Sequence, residues 1–129
     1  MSDPSMKFLV VDDSATMRRI VVNSLNRIGY TDTVEAGDGT EALGQFSAEI
    51  GCVITDWNMP NMNGIDFVRE LRSRSDGKTV PILMVTTRSV REDILAAIEA
   101  GVNNYIVKPF TPPVLKEKLD AVLKAAAAA

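Results

Sequence analysis

Five short runs punctuate this chain, four of them apolar and one, Thr33–Ala36, mixed, and each is followed by a stretch whose apolar residues recur at helical spacing. The runs are Lys7–Val11, Thr33–Ala36, Cys52–Thr55, Ile82–Val85 and Tyr105–Val107. They are too short for buried helices and rich in β-branched residues, so they read as strands. Ser14 stands at an N-cap position before Met17, Ile20, Val21, Ser24, Leu25 and Ile28, and Gly29 stops that helix. A Gly37-Asp38-Gly39 turn leads into a helix over Glu41–Ala48 that presents Ala42, Leu43 and Phe46. Asn63 caps a third helix with Ile65, Val68 and Leu71 on its inner stripe, ending in Ser73–Gly77. Ser89 and Glu92 form a capping box for a fourth helix, whose core residues are Ile94, Leu95, Ala97 and Ile98, and Gly101 ends it. Thr111 caps the last helix, Pro112 fits its first position, and Leu115, Leu119 and Val122 form its stripe.

Strict alternation of strand and helix dictates a parallel sheet covered on both faces by right-handed crossovers. The expectation is an α/β fold, a three-layer sandwich on a five-stranded parallel sheet. A barrel would need eight such units and about 250 residues, whereas the chain has 129. That length suits one domain with its own core, here residues 5–125, followed by an alanine tail at 126–129. The run Ala125–Ala129 either extends the last helix or frays.

Composition removes several function classes. There is no histidine, which excludes Ser-His-Asp and Cys-His triads and the common zinc sites. The formal net charge is -3 with no basic patch, which argues against nucleic-acid binding. No apolar run approaches the roughly 18 residues of a membrane span. Met1–Met6 lacks the basic and apolar parts of a signal peptide. A single cysteine, Cys52, cannot form an internal disulfide, which suits a cytoplasmic location and reads as an inert core residue. The six methionines read as gap-fillers.

What remains is a constellation of charges at strand ends. Asp12-Asp13 closes the first run, Asp56 the third and Lys108 the fifth. In an open α/β sheet, ligands bind outside the carboxyl ends of the strands. An acid pair after a strand is ordinarily a favourable helix N-terminus and no more. If the first and third strands are neighbours, however, Asp12, Asp13 and Asp56 converge. Three carboxylates in one place repel and call for a cation. Carboxylates, a backbone carbonyl and water suit a hard ion such as Mg²⁺, which is at home beside a phosphate. Phosphoryl transfer is mostly positioning and charge neutralisation. Asp56, already ionised, can attack phosphorus and form an acyl phosphate without a general base. Lys108 offers a mobile charge to one phosphoryl oxygen and Thr86 a hydroxyl to another.

The same residues carry a family likeness. Val10-Val11-Asp12-Asp13, Asp56-Trp57-Asn58-Met59-Pro60 with Asn63-Gly64, Met84-Val85-Thr86, and Tyr105-Ile106-Val107-Lys108-Pro109-Phe110 resemble the receiver domain of two-component response regulators. The likeness covers essentially the whole chain and is strongest to the single-domain chemotaxis members. It implies a (βα)5 flavodoxin-like three-layer sandwich and a signalling protein that catalyses only its own phosphorylation and dephosphorylation. It implies Asp56 as phosphoacceptor, Asp12 and Asp13 as Mg²⁺ ligands with the backbone carbonyl of Asn58, and Thr86 and Lys108 as the grip on the phosphoryl group. Tyr105 becomes a switch aromatic that moves inward when Thr86 is drawn to the phosphate. The Lys108-Pro109 bond becomes cis. The implied partners are a histidine kinase, a phosphatase and a flagellar motor switch protein, the last bound by a face containing Arg91, Ile94, Tyr105 and Lys118.

Two positions depart from the closest chemotaxis pattern. Thr87 stands where a small alanine is common, and Arg88 where an acid is expected. Both fall near the phosphate entrance, so Arg88, with Asn58, is expected to alter access of the hydrolytic water. Val90, beside Arg91, lowers the positive charge expected of a kinase- and switch-binding face. Trp57, directly after Asp56, either packs or senses the site. Rival readings are a phosphorelay or polarity receiver with no motor target, an aspartyl-phosphate phosphatase and a flavodoxin-like cofactor binder. The phosphatase would want a second acid where Asn58 stands. The cofactor binder lacks a phosphate loop, since Asp12-Asp13-Ser14 would repel a phosphate.

Overall fold

The computed structural model describes residues 4–128. Met1 to Asp3 of the N-terminal stretch and Ala129 of the alanine tail lie outside the described residues. Five strands, β1 (Lys7–Val11), β2 (Asp32–Ala36), β3 (Ile50–Thr55), β4 (Ile82–Thr86) and β5 (Asn104–Val107), alternate with five helices. The helices are α1 (Ala15–Ile28), α2 (Gly39–Gln45), α3 (Gly64–Ser73), α4 (Arg91–Ala100) and α5 (Pro112–Ala128). All pairings are parallel, in the order β2-β1-β3-β4-β5. The expected five-stranded α/β sandwich is the fold observed. β1 and β3 are adjacent, which meets the condition set for the acids to converge.

Side chains that alternate along the strands divide the core into two layers. Leu9, Val11, Val53, Ile82, Met84 and Tyr105 pack with Ala42 of α2, Phe67, Val68 and Leu71 of α3, and Ala97 of α4. Phe8, Val10, Cys52, Ile54, Leu83, Val85 and Ile106 pack on the other face with Val21 and Leu25 of α1 and Leu115, Leu119 and Leu123 of α5. Both faces of β1, β3 and β4 are buried, as central parallel strands require. Each such side chain stabilises the fold by roughly 1.5–3 kcal/mol.

The helix ends follow the capping residues. Ser14 accepts from the Met17 N–H, Asp38 from Glu41 and Asn63 from Asp66. Because Asp38 is the cap, α2 starts at Gly39, earlier than the Glu41 read from sequence, and it ends before Phe46, which is still buried. Gly29 ends α1 at φ +117.

Other expectations fail. The Ser89–Glu92 capping box does not form: α4 begins at Arg91 behind Val90, with no side-chain cap. The chain before it is held toward β3 by Arg88, so the helix starts one residue later than a Ser89 cap demands. Leu95 and Ile98 are not core residues. They are 54% and 46% exposed, and only Ala97 of α4 is fully buried, because α4 covers the edge of the sheet with one narrow side. Ile20 of α1 is likewise 46% exposed. Arg72 secures α3 to the base of α4 by donating to the carbonyls of Gly101 and Gly77 and to Asn103 Oδ1. Among the described residues no helix is long and apolar enough to cross a membrane.

Candidate functional site

Register builds the site. Val11 of β1 lies opposite Thr55 of β3, so the next residues on each strand, Asp12 and Asp56, emerge side by side. The Asp56 N–H still donates to the Val11 carbonyl at 2.9 Å, which carries the pairing one step past the strands. Asp13 follows Asp12 and is exposed, while Asp12 and Asp56 are buried. Carboxylate oxygens of Asp12, Asp13 and Asp56 all lie within 4.8 Å of one another.

Lys108 reaches this cluster from β5. A cis Lys108–Pro109 peptide follows the strand, as the resemblance implies, and the Lys108 N–H donates to the Thr86 carbonyl at 2.8 Å. Its ammonium donates to Asp12 Oδ2 at 2.8 Å and to Asp56 Oδ2 at 2.9 Å. Burial works against the Lys108 charge, but these two bonds outweigh it and hold its pKa above the ordinary lysine value. Burial also dominates at Asp12 and raises its pKa, against the lowering effect of Lys108 and of the Ser14 N–H, which donates to Asp12 Oδ1 at 2.9 Å. The Trp57 N–H donates to Asp56 Oδ1 at 2.6 Å, which leaves Trp57 fixed against the cluster. Arg18, not singled out from sequence, donates to the Asp12 carbonyl and pairs with Glu35 at 3.0 Å. Only its position one helical turn after Ser14 hinted at this.

The loop after Asp56 folds back tightly. The Gly64 N–H donates to the Trp57 carbonyl at 2.8 Å, and a Cβ at Gly64 would lie 2.0 Å from the Asp56 carbonyl oxygen. Asn58 is exposed in this loop, and its side-chain oxygen accepts from Arg88 Nε at 3.0 Å and Nη2 at 2.8 Å. The Arg88 guanidinium sits 4.4 Å from the centre of the Trp57 ring and also pairs with Asp93 at 3.4 Å. Thr86 ends β4 fully buried. Tyr105 is buried too, and its hydroxyl donates to the Arg88 carbonyl at 2.8 Å. Burial, then the charge of Asp93, pushes the Tyr105 pKa up to about 12.

The residues expected on a partner face are spread around the free edge of the sheet. Arg91 is exposed and Ile94 half-buried on α4, Tyr105 lies inside β5, and Lys118 is half-buried on α5. The large exposed apolar residues of these elements are others: Leu95 and Ile98 of α4, Val107 of β5 and Val114 of α5. Helical spacing assigned Leu95 and Ile98 to the core, and it carries no information on Val107, which lies on a strand.

The acidic cluster could bind a metal. It is a tight oxygen-only donor set with a cation already drawn into it, and that chemistry fits a hard divalent ion such as Mg²⁺.

Comparison with known proteins agrees with this geometry. Residues 8–120 match the family model described as the response regulator receiver domain. Chemotaxis protein CheY1 of Helicobacter pylori is 57% identical over 120 residues, covering 92% of this chain and 97% of that protein. The chemotaxis protein CheY homolog of Campylobacter jejuni is 53% identical over 120 residues, covering 92% of each. The solved structure of chemotaxis response regulator CheY4 of Vibrio cholerae superimposes with a TM-score of 0.84 at 39% identity, covering 92% of this chain and 99% of that one. The chain therefore belongs to the response regulator receiver domain family, and its likeness to CheY proteins makes it a two-component response regulator of the chemotaxis type.

Proposed function

We propose that Asp56 accepts a phosphoryl group from a histidine kinase, and that the acyl phosphate changes which partner the protein binds. The observation that carries this reading is Lys108 bridging Asp12 and Asp56, with Asp13 inside the same cluster. Asp12, Asp13 and Asp56, with the Asn58 backbone carbonyl, would hold Mg²⁺. When bound, that ion neutralises charge on the phosphoryl oxygens. Asp56 supplies a carboxylate oxygen that forms the new bond to phosphorus, while the phosphorus–nitrogen bond to the kinase histidine breaks. The electron pair leaves with that nitrogen. Lys108 shifts from the two carboxylates to a phosphoryl oxygen, and the Thr86 hydroxyl donates to another.

Thr86 and Tyr105 then relay the state of Asp56 to the surface. The phosphorylated form is a population shift, so target and phosphoryl group reinforce each other. The target is the flagellar motor switch, taken up around Arg91, Ile94, Tyr105 and Lys118 at the β5 edge. A phosphatase resets the signal, and Arg88 and Asn58 set how readily water reaches the acyl phosphate. Residues 5–125 form the receiver domain and 126–129 its alanine tail, and the protein works in the cytoplasm.

The test uses Trp57, whose N–H touches Asp56. Its fluorescence is followed as Mg²⁺ and then beryllofluoride, a mimic of the acyl phosphate, are added to wild type and Asp56→Asn. Two successive changes in wild type, the second lost in Asp56→Asn, are expected. No response in wild type to either addition sinks the proposal.

A further inference from the structure

Arg88 touches both residues of the switch through its own backbone. Its N–H donates to Thr86 Oγ1 at 3.4 Å, and its carbonyl accepts from the Tyr105 hydroxyl at 2.8 Å. One peptide segment therefore lies between the threonine at the site and the aromatic on β5. The segment is a loop between β4 and α4, and a loop carbonyl is a well-placed acceptor only if something holds the loop. Here the side chain of the same residue does so. It grips Asn58 Oδ1 through two nitrogens, lies over the Trp57 ring and pairs with Asp93 in the first turn of α4. Three anchors meet at one guanidinium. Lysine could not reproduce them, having one point charge and no planar face.

We infer that Arg88 is a positioning residue for Tyr105. Its side chain ties the β4–α4 loop to the loop bearing Asp56, and so fixes the carbonyl that keeps the Tyr105 ring inside. Movement at Trp57-Asn58 is thereby passed to Tyr105 through Arg88. The inference takes the meaning of the Tyr105 position from the phosphoacceptor reading, but the linkage itself is independent of it.

The experiment is NMR of the protein labelled with ¹³C-tyrosine. The chain has two tyrosines, and Tyr105→Phe identifies the Tyr105 signal. Tyr30, buried against Phe8 on the far face of the sheet, reports whether the fold is intact. In metal-free buffer, Arg88→Ala is expected to move the Tyr105 ring signal toward that of a solvent-exposed tyrosine and leave Tyr30 in place. Asp93→Asn and Arg88→Lys, each losing part of the anchorage, should move it part of the way. A Tyr105 signal that coincides with wild type in Arg88→Ala overturns the inference. If Arg88→Ala disturbs Tyr30 as well, the other two variants decide, and an unmoved Tyr105 in both overturns it equally. Mg²⁺ and beryllofluoride are added last. A wild type that ignores them counts against the phosphoacceptor reading while leaving the metal-free comparison intact.

Discussion

Replacing Gly64 with alanine probes how closely the loop behind Asp56 is packed. Gly64 opens α3, where alanine would ordinarily be the better residue by about 1 kcal/mol. Its surroundings oppose that. The added Cβ would lie 2.0 Å from the Asp56 carbonyl oxygen and 2.9 Å from the Trp57 Cα, against a floor near 3.0 Å for real contacts. These are backbone atoms and cannot turn aside, so the start of α3 and the end of β3 must part by about 1 Å. Overpacking of this kind costs about 1–3 kcal/mol. Losing the Gly64–Trp57 hydrogen bond costs about 1 more. With the helix preference offset, Gly64→Ala should destabilise by about 1–3 kcal/mol. It should also weaken Mg²⁺ binding about tenfold or more, because the shell around Asp56 moves with the loop. Gly44 is the control: it lies in α2 with nothing within 4 Å of its added Cβ. Gly44→Ala should stabilise by about 0.5–1 kcal/mol. Urea unfolding followed by circular dichroism gives both energies, and Trp57 fluorescence gives the metal affinity. A Gly64→Ala protein as stable as wild type would refute the reasoning.

Lys108→Met removes the ammonium that competes for Asp12 and Asp56, so Mg²⁺ should bind about tenfold more tightly, or about 1.4 kcal/mol; unchanged affinity in a fluorescence titration would mean that Lys108 does not compete. The same variant isolates a pH effect. The raised Lys108 pKa means its stabilisation is complete below the ordinary value of 10.5 and is lost as pH rises through the higher folded value, so wild type should lose more stability than Lys108→Met in that window. Burial pushes the Cys52 thiol up to about 12, so native protein at about pH 8 should resist iodoacetamide while urea-unfolded protein is alkylated; prompt native labelling would contradict the packing. Leu119→Ala, at a fully buried position, should cost about 3 kcal/mol, and Leu95→Ala, at an exposed one, under about 0.5, measured by urea unfolding. Equal costs would return Leu95 to the core.

Sequence alone determined the class of fold, because runs such as Phe8–Val11 and Cys52–Thr55 can only be strands buried on both faces, and the helices between them force parallel crossovers. It also determined the chemistry on offer, since an acid after β1, an acid after β3 and a lysine after β5 are local facts of strand ends. The tertiary structure decided what those groups do to each other. Register placed Asp12 beside Asp56, and the length of the lysine side chain let Lys108 bridge them. It also decided where α4 begins and which of its sides is wet. Leu95 and Ile98 have the spacing of core residues, but a helix at the sheet edge has little sheet to cover, and no pattern within the helix records that. The linkage through Arg88 was equally out of reach, since Asn58, Trp57, Asp93 and Tyr105 meet it only because separate segments end at the same corner of the sheet.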